Sequence, residues 1–158
     1  MKTVKNIYQL KKGFTLAEVL VSTGILTVII VGLIKILIYC SLLADMSANI
    51  TIAMRDAQNK LEEIRNSDYS SITTNYVSGG TPGNTFNLSQ GTGEGVIYMD
   101  ASNPDLLKIE IDVSWKNKDG RVIGEDSNLN GAINTGEDLN SNGQLDSMAK
   151  IITLLAKK

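Results

Sequence analysis

KKGFTLAEVL, residues 11–20, sets a carboxylate, Glu18, at the head of a long apolar run, just behind two lysines and a glycine. A charge at the centre of a bilayer costs roughly 2.5–3.5 kcal/mol on insertion scales, so Glu18 needs a partner if this run enters a membrane. The run extends from Phe14 to Leu43, and only Glu18 and Lys35 in it are charged. A bilayer core needs about 20 residues of helix. Val19 to Ile34 is uncharged, and Ile36 to Tyr39 extends the run if Lys35 snorkels to the interface. The lysines ahead of Phe14 favour a cytoplasmic N-terminus. A secretory signal peptide also starts basic and apolar. It fits poorly here, because the run is too long and no A-x-A-like site follows it.

No proline interrupts the segment, and the helical pattern continues beyond it. Leu43, Met46, Ile50, Met54, Ala57, Leu61 and Ile64 recur at spacings of three and four, which is one face of a helix. Arg55, Asp56, Lys60, Glu62, Glu63 and Arg65 fall mostly on the other face, read as solvated. Asn66-Ser67-Asp68 is a stop. The expectation is one helix from about Phe14 to Asn66, its first half in the membrane and its second half amphipathic.

These residues resemble the N-terminal signal of type IV pilins and type II secretion pseudopilins. That signal is a short basic leader ending in Gly, then Phe, then Glu at the fifth mature position. Gly13, Phe14 and Glu18 match it, and AMRDAQNKLEEIRN and IEIDVSWKNKDGR are similar to minor pilins and pseudopilins of the V/I type. The resemblance implies cleavage between Gly13 and Phe14 by a prepilin peptidase and N-methylation of Phe14. It implies assembly with other pilins or pseudopilins through an inner-membrane assembly platform, with Glu18 meeting the Phe14 amine of a neighbouring subunit. An intrachain contact is the simpler alternative. The implied protein crosses the lipid bilayer of the cytoplasmic membrane once, head outside, before entering a pilus or pseudopilus. The expected fold is α+β, a long helix packed on a small antiparallel sheet, with a leader at 1–13, a transmembrane half at 14–43 and a head at 44–158.

Within the head, residues 44–66 are read as amphipathic helix and 67–106 as a Ser/Thr/Asn/Gly-rich loop, with weak strand signals at TFNLS and GVIYMD. The sheet is expected over 107–158. Leu107, Ile109, Ile111, Val113 and Trp115 alternate with Lys108, Glu110, Asp112, Ser114 and Lys116, which predicts a half-buried strand with a polar outer face. AKIITLLA, 149–156, reads as the last strand.

Between those strands, residues 124–147 form a tandem repeat of 12 residues, GEDSNLNGAINT and GEDLNSNGQLDS. Asp126, Asn128, Asn130, Gly131, Ile133 and Glu137 occupy positions 1, 3, 5, 6, 8 and 12 of an EF-hand-like calcium loop. The Ala132 carbonyl falls at position 7 and Asn134 at position 9. Calcium suits the pattern because it takes six to eight hard oxygen ligands in irregular geometry. The second unit offers Asp138, Asn140, Asn142, the Gln144 carbonyl and Asp146, but Ala149 stands at position 12. It needs a donor from elsewhere, either Glu125 or water, and is similar to the loops of dockerin or thrombospondin repeats. A metal-free Asn/Gly-rich hairpin is the simpler reading. Against it, five carboxylates lie between Arg121 and Lys150 with no basic residue among them.

The formal net charge of −2 conceals a basic tip, with Lys2, Lys5, Lys11 and Lys12 and no acid before Phe14, and an acidic body. An acidic body without a basic patch interleaved with aromatics gives no footprint for nucleic acid. The chain has no His and a single Cys, Cys40. This removes His-based catalysis, Cys/His zinc sites and an intrachain disulfide. The expectation is a structural subunit, not an enzyme. The rival reading is a membrane-tethered, calcium-dependent adhesion module that does not polymerise.

Overall fold

The computed structural model describes residues 13–103 and 105–157. The leader expected at 1–13 lies outside these residues except for Gly13. Helix α1, Leu16–Arg65, is followed by a short helix α2, Tyr69–Asn75, and five strands: β1 Thr85–Asn87, β2 Thr92–Asn103, β3 Leu106–Lys116, β4 Val122–Ile123 and β5 Ala149–Ala156. Two compact units divide after Cys40, within α1.

In the first unit the side chains from Leu16 to Tyr39 are nearly all exposed, and this part of α1 is long and apolar enough to cross a membrane. The helix satisfies its own backbone, as a segment without water must. Its hydroxyls turn inward in the same way: Ser22 donates to the Glu18 carbonyl at 2.7 Å and Thr27 to that of Thr23 at 2.8 Å.

In the second unit, Ala53, Ala57, Leu61 and Ile64 of α1 form one buried cluster with Ile97 of β2 and with Leu107, Ile109, Ile111, Val113 and Trp115 of β3, and Ile50 and Met54 pack against it. The apolar stripe is therefore shorter than the sequence spacing predicts, because Leu43 is exposed. Asp56, read as solvated, is buried. It accepts from the Ser89 N–H at 2.7 Å and the Ser89 hydroxyl at 3.0 Å, which ties α1 to the turn between β1 and β2.

The sheet is antiparallel. β2 lies between β1 and β3, and the other side of β3 pairs with both β4 and β5. The stretch expected as a loop, 67–106, instead holds α2, β1 and β2. Glycines weaken a strand signal, and here they have a packing role. Phe86 of β1 lies across from Gly95 of β2, and a Cβ at Gly95 would fall 2.2 Å from the Phe86 ring.

The expected repeat leaves and rejoins one edge. The chain departs at Ile123, opposite Trp115, and returns at Ala149, opposite Val113. Residues 124–148 are thus an excursion from a nearly continuous edge, and they roof the face of the sheet opposite the helix. Gly124 enters this roof at φ +109°, where a Cβ would lie 2.1 Å from Ser114 Oγ. The polar face of β3 is consequently not solvated as expected: Glu110, Asp112 and Ser114 are 5%, 1% and 3% exposed.

Candidate processing segment and metal loops

Gly13 and Phe14 precede α1, and Phe14 is 85% exposed. Glu18 sits in the first turn. Its Oε2 accepts from the Thr15 N–H at 3.4 Å, while the Thr15 hydroxyl accepts from the Glu18 N–H at 3.2 Å. This is the reciprocal arrangement of a capping box, in which Thr and Glu three residues apart satisfy each other's free amides. The sequence carries its signature, T-L-A-E, directly ahead of the apolar run. Glu18 therefore has a local partner that its spacing from Phe14 does not reveal.

The two repeats fold alike. Gly124, Leu129 and Gly131 have positive φ, and so do their twelve-residue equivalents Gly136, Ser141 and Gly143. Asp126, wholly buried, accepts from the Asn130 and Gly131 N–H groups at 3.1 and 2.8 Å. Asp138 accepts from Asn142 and Gly143 at the same distances. Each leading aspartate is thus fixed by the turn that its glycine permits.

In the first loop the oxygens expected at positions 5, 7 and 12 converge. Asn130 Oδ1, the Ala132 carbonyl and Glu137 Oε2 lie 3.3, 2.7 and 3.0 Å from Asn134 Nδ2. Glu137 also accepts from the Ser127 hydroxyl and N–H at 2.7 and 3.1 Å and from the Asn134 N–H at 3.0 Å. The bonds from the Ser127 hydroxyl and the Asn134 side chain hold its pKa at about 2, so it stays ionised. Asn128 is exposed at the loop surface.

In the second loop Asp146 Oδ2 accepts from the Asn140 and Asn142 amides at 2.6 and 2.8 Å. The amide oxygen of Asn140 is engaged within the turn, accepting from the Asn142 N–H at 3.0 Å. Gln144 donates its N–H to Asn142 Oδ1 at 2.8 Å. Glu125 reaches this loop and accepts from the Leu139 and Asp146 N–H groups at 3.3 and 3.0 Å. The donor types in both loops, and in the first loop the convergence of oxygens, fit a hard cation.

Below the roof lies a group that alternation along β3 conceals. Lys150 contacts Glu110 at 2.7 Å, Asp112 at 3.5 Å and Asp146. Burial pushes the Asp112 pKa up to about 7 against the pull of Lys150. Burial also opposes the charge on Lys150, but Asp146 and Glu110 outweigh it and raise its pKa. Tyr98 of β2 joins the roof to the sheet by accepting from the Leu145 N–H at 2.7 Å.

Residues 9–34 match the family described as the prokaryotic N-terminal methylation motif. No curated protein and no solved structure matches the chain significantly.

Proposed function

We propose that this chain, which carries the methylation signal of type IV pilins and pseudopilins, is a minor pilin or pseudopilin subunit whose head is ordered by calcium. The match over residues 9–34 carries the reading, because it spans the Gly13-Phe14 junction, Glu18 and the first part of the apolar run. Prepilin peptidase cuts after Gly13, whose lack of a side chain leaves the carbonyl open to attack, and the new amine of Phe14 is methylated. The apolar half of α1 holds the subunit in the cytoplasmic membrane, head outside, until the assembly platform adds it to a filament of pilins or pseudopilins. There Glu18 meets the Phe14 amine of a neighbour. Paired in a low-dielectric bundle its charge is tolerable, and unpaired it is not. The protein acts by assembly, not catalysis.

Calcium belongs to the head. Glu94, Glu110, Asp112, Asp126 and Glu137 are all buried at the roof and the face beneath it, and the roof itself brings no basic residue between Arg121 and Lys150. Asp126, Asn128, Asn130, the Ala132 carbonyl, Asn134 and Glu137 would hold one ion. Asp138, Asn140, Asn142, the Gln144 carbonyl and Asp146 belong to the second loop.

Mass spectrometry of the protein extracted from membranes of a host with an active prepilin peptidase tests the processing step. A chain beginning at Phe14, one methyl group heavier, is expected. A mature chain that still begins at Met1 would overturn the reading.

A further inference from the structure

Each loop is closed by a glutamate that stands one residue ahead of the leading aspartate of the other loop. Glu137, next to Asp138, accepts from the Ser127 and Asn134 N–H groups of the first repeat. Glu125, next to Asp126, accepts from the Leu139 and Asp146 N–H groups of the second. Leu139 and Asp146 are the twelve-residue equivalents of Ser127 and Asn134. Ala149 at position 12 of the second repeat therefore does not leave that loop without a closing carboxylate, because Glu125 reaches it from ahead of the first.

A separate observation lies under the second loop, where Lys150 faces three carboxylates, Glu110, Asp112 and Asp146. Asp112 is 1% exposed, and its Oδ2 is buried with no hydrogen-bond partner. One carboxylate oxygen each from Glu110, Asp112 and Asp146 lie within 4.8 Å of one another. Asp146 faces both ways, with Oδ1 towards Lys150 and Oδ2 towards the Asn140 and Asn142 amides. A buried carboxylate oxygen without a partner is costly, and positive charge in the second loop would offset the excess.

Resting on the calcium reading above, we infer that the two repeats form one interlocked two-ion site, in which Glu125 closes the loop of the second ion as Glu137 closes that of the first. An ion that draws Glu137 into the first loop also fixes Asp138, the leading ligand of the second, one peptide away. An ion that draws Glu125 into the second loop fixes Asp126 in the same way. Each ion pre-orders a ligand of the other, so binding is positively coupled, and by linkage the coupling is reciprocal.

Calorimetric titration of the full chain in detergent with calcium chloride tests this. The unmodified chain should bind two ions. Glu125→Gln should bind one, roughly tenfold more weakly than the parent holds the same first-loop ion once its second loop is filled, which is within the usual range of coupling between sites. Asp138→Asn should do the same from the opposite end of the second loop, and it serves if circular dichroism shows Glu125→Gln to be unfolded. One ion in the parent, unaffected by either substitution, would overturn the inference and leave calcium binding by the first loop intact. Two ions of unchanged affinity in both variants would overturn it equally, and a remaining ion held as tightly as before would overturn the coupling. Absence of binding in the parent would overturn both the inference and the calcium reading beneath it.

Discussion

Glu18 accepts the Thr15 N–H within its own helix, and by the proposed function it also meets a neighbour's amine in a filament. Glu18→Gln separates these roles. Glutamine serves in a capping box almost as glutamate does, but it carries no charge. The variant should reach the membrane at normal levels and be depleted from sheared filaments, as judged by fractionation and immunoblotting. Normal incorporation would leave Glu18 a capping residue only. Asp56 presents a second residue-scale case. Burial opposes its charge, but the bonds from Ser89, followed by Arg55, outweigh burial and lower its pKa below the ordinary 3.8. A carboxylate with a depressed folded pKa binds fewer protons folded than unfolded. Its contribution is therefore present above pH 3.8 and lost as pH falls through the folded value. Asp56→Ala deletes the charge-assisted bonds from Ser89 and should cost about 1.5–3 kcal/mol at neutral pH. The difference in melting temperature from the parent should narrow as the pH falls from 7 to 3, and a constant difference would show that the charge has no part in it.

Among the elements, those whose periodicity is local were legible in the chain. The α1 stripe repeats every three or four residues, and β5 occupies Ala149–Ala156, the bounds that its apolar run suggests. The twelve-residue repeat was legible because it depends on residue type at fixed spacing, and its two units share their positive-φ positions. What escaped depends on distant partners. Asp56 is buried by Ser89, 33 residues away. β2 is disguised by Gly93 and Gly95, which are there to admit Leu88 and Phe86. The outer face of β3 looks solvated until the excursion from its own edge covers it. Gly124 and Gly136 isolate that covering step. They are repeat equivalents at φ +109° and +88°, but a Cβ at Gly136 meets nothing within 4 Å, whereas one at Gly124 strikes Ser114. Both Ala variants incur the strain of a positive φ, of order 1 kcal/mol or more. Only Gly124→Ala also pushes the roof off the sheet. Its melting temperature should fall further than that of Gly136→Ala by several degrees, measured by circular dichroism in detergent. Equal losses would mean that the roof does not rest on β3.

At the scale of the whole molecule, the roof is the part of the head that one layer of packing cannot stabilise. The helix covers one face of the sheet with apolar side chains, while the other face carries Glu110 and Asp112 under a loop that adds Asp126, Glu137 and Asp146. Lys150 offsets part of this charge and leaves Asp112 Oδ2 without a partner. By the proposed function the head meets calcium after it leaves the cytoplasm, where extracellular modules bind calcium with dissociation constants of roughly 0.1–1 mM. An ion that binds only the folded head stabilises it by mass action, about 2.7 kcal/mol at a concentration 100 times its dissociation constant. Because the roof joins β4 to β5, ordering it also secures the strand that pairs with β3 from Leu106 to Val113. The full chain in detergent should therefore melt at higher temperature in millimolar calcium chloride than in EGTA. Magnesium should give a smaller rise, since it demands tighter octahedral geometry and parts with its waters reluctantly. Asp126→Ala should remove most of the calcium-dependent rise, because it deletes the leading charged ligand of the first loop. Superimposable melts in EGTA and calcium would make the roof a metal-free cover, with its carboxylates held by backbone and side-chain hydrogen bonds and by Lys150.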